Sequence, residues 1–515
     1  MRRSIAAAVV SLATALSVVP ATASSATDTT VTPSEPLAGL LAQDNARLAL
    51  EHAREVLSGT AAAAPGSHSE GTLAMRDLFA AMPDLSGSER REARAVLARP
   101  TDGTNDPNYD GYTVSAKRKC KGHFCLHWVP TTSDAPPSKS WVDKTLRTMN
   151  QVWAKEVGGL NYRAPVKDGK HGGNNLFDVY LKDIGNDGLY GYCAAEYLKP
   201  GRKREASGYC VLDNDFDSSQ FSGARPVDSL RVTAAHEFFH AVQFGYDYKE
   251  DPWLMEATST WMEERFADGI NDNRQYLPYG QVHLSSSSLD VSHQWTFNQY
   301  GNWAFFEYLS SHFGAGIVRR IWNAAGEFPD GGKKYSTEAV AAVLGRHGGF
   351  TDVFSRYASA NTAPARNYAE GSSWPKAAID KRWKLSRDKL RGSTKLTINH
   401  MASRNAVMKP DDSLAGKRWR GKVVVDGPGL AKSPAVRVVV TRAGGHQVEK
   451  TLRLSRSGVG RTTFGFSSGE VKRVTITAVN ASTRFDCHQQ TSLSCRGKAK
   501  DNASTYKLTV AAFKR

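Results

Sequence analysis

The sequence predicts an α+β domain that follows an N-terminal helical segment and precedes a C-terminal all-β sandwich. Three observations predict this order. An alanine-rich helical pattern comes first, mixed strand and helix patterns follow, and short alternating segments separated by Gly, Ser and Asp fill the remainder. A chain of 515 residues is also longer than one hydrophobic core usually serves. We therefore expect units at 24–105, 106–390 and 391–515 behind a short leader.

The leader is expected to be an export signal over residues 1–23. Arg2 and Arg3 precede an apolar run from Ile5 to Val19, and Ala21-Thr22-Ala23 fits a cleavage site. No later run approaches the roughly 20 apolar residues that a membrane helix needs. The sequence therefore predicts a secreted, extracellular protein without a membrane span.

Residues 24–105 are interpreted as a linker followed by a helical pro-segment or N-terminal extension. Thr, Ser, Pro and Ala dominate residues 24–40, a composition typical of linkers. The stretches "LAGLLAQDNARLALEHAREVL" and "SGSERREARAVLARP" then carry apolar residues at helical spacing. This pattern does not distinguish a segment that is removed from one that stays.

The central region, 106–390, is expected to combine strands with helices. The stretch "SWVDKTLRTMNQVWAKEVG" has the apolar face of an amphipathic helix. The stretches "NLFDVYLKDI" and "SGYCVLDNDF" have the β-branched and aromatic content of strands. Helical patterns dominate from there to about Trp383.

The C-terminal region, 391–515, is expected to be a basic β-sandwich built from alternating strands such as "GKVVVDG" and "VKRVTITAVNAS". From Lys376 to the end there are 30 Lys and Arg against 9 Asp and Glu, whereas the preceding residues carry 37 against 42. This charge favours a solvated, solubilising face, and contact with polyanions such as wall polymers is the alternative. Specific nucleic-acid recognition is not expected.

Cysteines occur in close pairs: Cys120 with Cys125, Cys193 with Cys210, and Cys487 with Cys495. In an exported chain this clustering favours three local disulfides. The segment "CKGHFCLHW" could instead form a metal knuckle, because it brings His123 and His127 close to two thiols. The export context and the strand periodicity of this segment favour the disulfide.

The stretch "VTAAHEFFHAVQFG" carries the strongest chemical signal. On a helix, His236 and His240 lie one turn apart, so that two imidazoles can bind one Zn²⁺ ion. Glu237 is rotated about 100° from His236, where a carboxylate can accept a proton from water at the metal. An ordinary buried helix is the alternative, since neighbours such as Val232 and Phe239 are apolar.

A catalytic zinc site needs a third protein ligand, and the predicted helix "DPWLMEATSTWMEERFADG" offers one. Glu256 lies among large apolar residues, where an ionised carboxylate is costly unless it is paired or bound to a metal. Glu263, two turns further along the same face, is the second choice, either as a ligand or as a partner for an imidazole. Glu264 is expected on the surface.

These motifs resemble the gluzincin branch of the zincin metallopeptidases. The stretches "RVTAAHEFFHAVQFGYD" and "WLMEATSTWMEE" are similar to sequences of a family of exported bacterial zinc metalloproteases. The resemblance covers about residues 110–385. The resemblance implies a zincin-like fold and one zinc ion held by His236, His240 and Glu256. It also implies hydrolysis of a protein or peptide substrate by metal-activated water, with Glu237 as general base.

The chain departs from the gluzincin pattern at Thr260. Many gluzincins carry an acidic residue here, four positions after the ligand Glu, which orients a histidine bound to zinc. Asp213, Asp215 or Glu263 would have to take over that role. The metzincin branch is excluded, because the third histidine of its motif is missing.

Two further features concern substrate and transition state. Tyr300 in "FNQYGNW" is the residue chosen to stabilise the oxyanion, His293 is the alternative, and a structural role is open for each. The stretch "GLYGYC", residues 188–193, is expected at a sheet edge where an extended substrate could pair, although helix packing would also explain it.

The resulting expectation is a secreted zinc-dependent endopeptidase. Two alternatives stay open: an inactive zincin-like protein that binds polyanions or cell wall through its basic sandwich, and a zinc hydrolase of non-peptide amides. The intact Glu237 favours an enzyme, because a binding protein does not need a general base.

Overall fold

The computed structural model describes residues 35–60, 71–102, 111–221, 223–293 and 296–515. The expected export signal at 1–23 lies outside these residues. Helices prevail in the first part of the described chain and strands in the last, so the expected mixed α/β order followed by a β-rich region is confirmed. None of the described helices is long and apolar enough to cross a bilayer.

The elements largely follow the order expected from the sequence. The helices, labelled α1 to α12 in chain order, are Glu35–Leu57, Gly71–Ala81, Gly87–Val96, Lys139–Trp153, Pro226–Asp247, Pro252–Ala267, Asn298–Gly301, Trp303–Phe313, Gly316–Ala325, Thr337–Leu344, Phe350–Ala360 and Pro364–Asn367. The strands, labelled β1 to β16, are Lys117–Lys121, Phe124–Trp128, Phe177–Lys182, Gly191–Leu198, Ala206–Asp213, Lys381–Leu385, Arg391–Ile398, Ala402–Pro410, Trp419–Asp426, Pro434–Arg442, Gln447–Thr451, Val459–Gly465, Val471–Asn480, Phe485–Asp486, Lys498–Ala499 and Ser504–Lys514.

The central region contains a five-stranded sheet in the order β1-β2-β3-β5-β4. Strands β2, β3 and β5 run parallel, whereas β4 is antiparallel to β5 and forms an edge of the sheet. Strands β3 and β5 are buried along their whole length, as their apolar sequences favour. Strand β4 begins at Gly191 and so contains the second half of "GLYGYC".

Two buried helices lie against this sheet and against each other. Helix α5 packs on β4 and β5, and α6 packs on α5. The helices begin at Pro226 and Pro252, because the fixed φ and missing N–H of proline suit a first helical turn. Almost the whole of both helices is buried, so polar side chains on their facing surfaces are held away from bulk water.

The N-terminal helices pack into the same core as the central region. Their buried side chains, among them Met75 and Leu78, belong to one apolar cluster with residues of α5 and α6. Arg99, which follows α3, is buried and pairs with Asp178 at 2.6 Å and with Glu196 at 2.7 Å. Because loss of Arg99 would leave buried carboxylates unpaired, the chain around it is integral to the folded domain.

The C-terminal region consists of two main sheets with a core of their own. Their strand orders are β11-β10-β13-β8-β6 and β12-β9-β16-β7. Inward residues of both sheets, such as Val423 and Ile476, form one apolar cluster. Strand β6, which begins at Lys381, pairs in parallel with β8 and so belongs to the first of these sheets. The pairing of β6 with a later strand is a long-range contact, which local composition does not reveal.

The six cysteines form three local disulfides in the expected pairs. The first closes the β1–β2 hairpin, and the second joins edge strand β4 to β5. Because Cys120 and Cys125 are bonded to each other, the segment "CKGHFCLHW" has no thiolate to offer a metal. The metal knuckle considered for this segment is therefore excluded by the structure.

Candidate metal centre

His236, His240 and Glu256 meet between α5 and α6, and all three are buried. The two histidines lie one turn apart on α5, and Glu256 reaches them from α6. Nε2 of His236 is 3.2 Å from Oε2 of Glu256, and Nε2 of His240 is 3.5 Å from Oε1. One ligand atom of each residue lies within 4.8 Å of the others. The structure thus brings together the three residues expected as metal ligands.

The other ring nitrogen of each histidine faces a fixed partner. Nδ1 of His236 lies 2.7 Å from Oε1 of Glu263, and Nδ1 of His240 lies 2.8 Å from Oε1 of Gln243. The amide of Gln243 is oriented, because its Nε2 donates to the carbonyl oxygen of Met255 at 3.0 Å. When both Nδ1–H groups donate to these oxygens, both Nε2 atoms present a lone pair to the point where the three residues meet.

Burial and neighbouring charge determine the protonation of this cluster. Burial disfavours an imidazolium at His236, but hydrogen bonds to Glu256 and Glu263 outweigh it and raise the pKa well above 6.5. Burial also disfavours ionised Glu256, yet the two histidines hold its pKa well below the usual range. Burial raises the pKa of Glu263 to about 7. The cluster therefore favours positive charge, whether as a proton or as a metal ion.

The donor set fits a tetrahedral zinc ion. Tetrahedral bonds of about 2.0 to 2.1 Å place neighbouring ligand atoms roughly 3.3 Å apart. Each Nε2 lies near that separation from one oxygen of the Glu256 carboxylate, His236 at 3.2 Å from Oε2 and His240 at 3.5 Å from Oε1. Two imidazoles and one carboxylate are also a known donor set of hydrolytic zinc sites, in which water takes the fourth position.

Glu237 lies outside the group of three and contacts the N-terminal segment. Its Oε2 accepts a hydrogen bond of 2.8 Å from the hydroxyl of Thr72 on α2. The same hydroxyl accepts the backbone N–H of Cys193 in β4, also at 2.8 Å. A Cβ atom on Gly191 would lie 3.0 Å from Cγ of Glu237. The expected general base therefore lies directly beside the edge strand of the sheet.

A small cavity lies beside His236 and Glu237. Its volume is about 60 Å³, enough for a few water molecules. The remaining lining residues are Tyr190, Gly191, Val232, Thr233, Glu263, Asp272, Tyr276 and Tyr300. The ring of Tyr300 stacks on that of His236, with 5.9 Å between centroids. His293, the alternative to Tyr300, is exposed and is not part of this lining.

Three acidic residues considered from the sequence have other roles. Asp213 accepts hydrogen bonds from the backbone N–H groups of Gly185 and Phe216, and Asp215 caps a turn of its own loop. Glu264, expected on the surface, is buried, because the helical turn around Asn273 packs against α6 and donates to its carboxylate at 2.9 Å. Of the residues considered as a histidine partner, Glu263 is the one in contact with His236.

Sequence reasoning missed several residues of the site. Gln243 lies three residues after His240, so the helical spacing could have revealed it as a partner. Tyr190 lies in "GLYGYC", which was considered only as a sheet edge for substrate pairing, and Tyr276 lies outside any recognisable motif. Thr72 is 165 residues from Glu237 along the chain, and no local signal connects the two.

Comparison with known proteins gives no family assignment. No protein-family model and no curated protein matches the chain. A surface-associated copper-binding protein of Methylomicrobium album BG8 is similar at 12% identity, over 27% of this chain and 99% of that chain, with a TM-score of 0.16. A family 115 4-O-methyl-α-glucuronidase with specificity for decorated arabinogalactans is similar at 7% identity, over 69% of this chain and 54% of that chain, with a TM-score of 0.14. TM-scores this low carry no argument about fold or function.

Proposed function

We propose that the protein is a zinc-dependent endopeptidase with a zincin-like catalytic domain, and that it acts outside the cell. One observation carries the proposal: Nε2 of His236, Nε2 of His240 and the carboxylate of Glu256 meet at the spacing of zinc ligands. The three disulfides support an extracellular site of action, since such bonds persist in oxidising environments.

The residues around the site have distinct roles in this proposal. His236, His240 and Glu256 would hold the metal. Glu263 and Gln243 keep each imidazole in the tautomer whose Nε2 is free to bind. A bound zinc ion supplies Lewis acidity, which acidifies water and polarises a carbonyl group.

Proton transfer is assigned to Glu237. Its carboxylate lies in the cavity lining next to His236, where it can accept a proton from the attacking water and deliver it to the leaving amine. Tyr300 lines the same cavity and is assigned to donating a hydrogen bond to the oxyanion. These roles are those of a hydrolase that cleaves an amide bond.

The position of β4 supports a peptide as substrate. An extended peptide can add to an exposed sheet edge, where backbone hydrogen bonds give affinity for many sequences. Strand β4 is an edge strand of the central sheet, and its first residue, Gly191, packs against Glu237. A peptide paired with β4 would therefore pass beside the proposed general base.

Zinc content measured together with casein cleavage tests this proposal. The purified protein should contain one zinc ion per chain, lose cleavage when a chelator removes the metal, and recover it when zinc is returned. Cleavage that survives complete metal removal would contradict the proposal. Zinc-dependent cleavage of a non-peptide amide with intact casein would instead favour the alternative hydrolase.

Binding of polyanions such as wall polymers is a second candidate function. A groove of about 530 Å³ lies between residues 362–379 and strands β6, β8 and β13. No carboxylate occurs in its lining, within the described chain, whereas its cationic side chains are Arg366, Lys376, Arg382, Lys409 and Arg473. Positive charge concentrated in a groove attracts anionic polymers.

A matched pair of charge reversals tests the groove. Lys409→Glu should elute from a heparin column at lower salt than the unaltered protein. Lys507→Glu makes the same charge change on exposed strand β16, outside the groove, and should shift elution less. Equal shifts for both variants would mean that net charge, not the groove, controls binding.

A further inference from the structure

We propose that helix α2 keeps the active site latent by occupying the edge of β4 that a peptide substrate needs. The inference rests on the proposed peptidase function and adds its regulation. Its central contact is the Thr72 hydroxyl, which is hydrogen-bonded both to Glu237 and to the backbone of Cys193.

The first step concerns the direction of the Cys193 N–H. Cys193 lies opposite Cys210 in the antiparallel β4–β5 pair, with 4.0 Å between the Cα atoms. So short a separation is typical of the pairs that exchange no backbone hydrogen bonds, in which N–H and C=O point away from the partner strand. The N–H of Cys193 therefore points outward from the sheet edge. It donates there to Oγ1 of Thr72, where a substrate carbonyl would otherwise accept it.

The second step concerns the proton acceptor. A threonine hydroxyl has one hydrogen, and because its oxygen accepts from Cys193, that hydrogen is free to be donated to Oε2 of Glu237. The three groups are buried, so the hydrogen bond to the carboxylate is shielded from competing water. In this state one of the two carboxylate oxygens of Glu237, Oε2, is engaged by Thr72 and is not available to a water molecule.

The third step concerns space. Gly71 lies so close to β4 that a Cβ atom there would be 2.8 Å from Cβ of Tyr192 and 3.3 Å from Cδ2 of Leu189. Pairing of a peptide with this part of the β4 edge therefore requires α2 to move away from it.

Further contacts hold α2 in place. Nη1 of Arg76 donates to the carbonyl oxygen of Glu250 at 2.6 Å, just before α6. Asp77 pairs at 3.0 Å with Arg496, which follows the last cysteine in the C-terminal region. We call this set of contacts made by α2 the latch. The latch connects the N-terminal segment to helix α5, to the segment before α6 and to the C-terminal part of the chain. Displacing α2 would release all of these contacts together.

Two substitutions in the full-length, zinc-loaded protein test the latch. Thr72→Val removes the hydroxyl at nearly constant volume, and Gly71→Leu forces a side chain between α2 and β4. Gly87→Leu is the matched control, because a Cβ atom at Gly87, on α3, has nothing within 4 Å. Two quantities are measured: amide hydrogen exchange of the peptide spanning Gly191–Leu198, and cleavage of casein.

Both test variants should speed exchange at Cys193 and raise cleavage, whereas Gly87→Leu should change neither. We expect a rise of roughly tenfold to a hundredfold for Thr72→Val, the shift in an equilibrium that follows loss of a hydrogen bond to a charged group. Unchanged exchange in both test variants would overturn the latch. So would a wild-type protein that already cleaves casein as fast as the variants. If exchange is faster but no cleavage is detected, α2 covers the edge of β4 as proposed, and the peptidase proposal is refuted instead.

Discussion

Two buried clusters that combine histidine with carboxylate differ in what they leave available for chemistry. One is the candidate metal centre formed by His236, His240 and Glu256. The other, here named the His400 cluster, joins His400 to Asp290 with 2.8 Å between Nε2 and Oδ1. Both clusters are almost inaccessible to solvent, so burial does not distinguish them.

In the His400 cluster the polar atoms form hydrogen bonds that stabilise the fold. Oδ2 of Asp290 accepts the backbone N–H of Ser494 at 2.9 Å, and Nδ1 of His400 lies 3.4 Å from the hydroxyl of Ser288. Serine, histidine and aspartate are the residue types of a nucleophilic triad, yet here the serine is buried. The candidate metal centre instead has two Nε2 atoms and a carboxylate directed at one point beside a cavity. The convergence of ligand atoms beside a cavity, and not the residue types, therefore distinguishes the candidate metal centre from the His400 cluster.

The largest effect should follow from changing the proton acceptor beside the metal centre. Glu237→Gln preserves size but cannot take up a proton near neutral pH. Casein cleavage should fall by about 10²-fold to 10⁴-fold, while zinc stays bound because the three ligands are intact. Glu264→Gln is the control, a buried carboxylate outside the ligand set, and should retain most activity. A Glu237→Gln protein that binds zinc and cleaves at the parent rate would refute the mechanism.

A variant of the His400 cluster should affect stability and leave the metal centre alone. Asp290→Ala removes a buried carboxylate from His400 and from the N–H of Ser494. We expect the free energy of unfolding to fall by about 3 kcal/mol, as for other buried pairs that lose one partner. Chemical denaturation and zinc content, measured on the same sample, check this. Loss of zinc from the folded variant would mean that the two clusters are not independent.

A smaller effect is expected in the pH dependence of stability. Burial opposes the charged form of His400, but Asp290 outweighs it and raises the pKa of His400 above 6.5. The stabilisation is therefore fully present below about pH 6.5 and is lost as the pH rises through the raised value. The pKa of Asp290 is lowered from 3.8, so its contribution is lost only in stronger acid.

Chemical denaturation of the wild-type protein and of His400→Gln at several pH values tests whether this stabilisation is lost as the pH rises. The difference in unfolding free energy should be largest between about pH 4 and pH 6.5 and should shrink in alkaline solution. A difference that grows with increasing pH would show that His400 is held in its neutral form.

The residues of the metal centre could be predicted because helical periodicity is local. The spacing of His236 and His240 places both on one helix face, and the apolar surroundings of Glu256 point to a paired or metal-bound carboxylate. Asp290 and His400 had no such signal, since 110 residues separate them in the chain. The contacts that were missed are those that depend on how distant segments pack.

The fold likewise contains elements that the local sequence predicts and contacts between distant segments that it does not. The sequence patterns of β3, β5 and α4 were sufficient to predict these elements, because the two strands are rich in β-branched and aromatic residues and α4 has the apolar face of an amphipathic helix. Strand β6 was not separated from the helical region, because its parallel partner β8 lies later in the chain. The contact of Thr72 with Glu237, on which the proposed latch depends, gave no signal in the sequence either.

The central claim is that His236, His240 and Glu256 bind zinc, and metal analysis of two matched variants tests it most directly. The wild-type protein should contain one zinc ion per chain, and Glu256→Ala should contain almost none after dialysis. Glu263→Ala should still bind zinc, with an affinity about 10-fold to 100-fold lower, because Glu263 orients His236 without binding the metal. Full zinc content in Glu256→Ala together with its loss in Glu263→Ala would contradict the assignment, and a wild-type protein that binds no zinc would refute the metal centre itself.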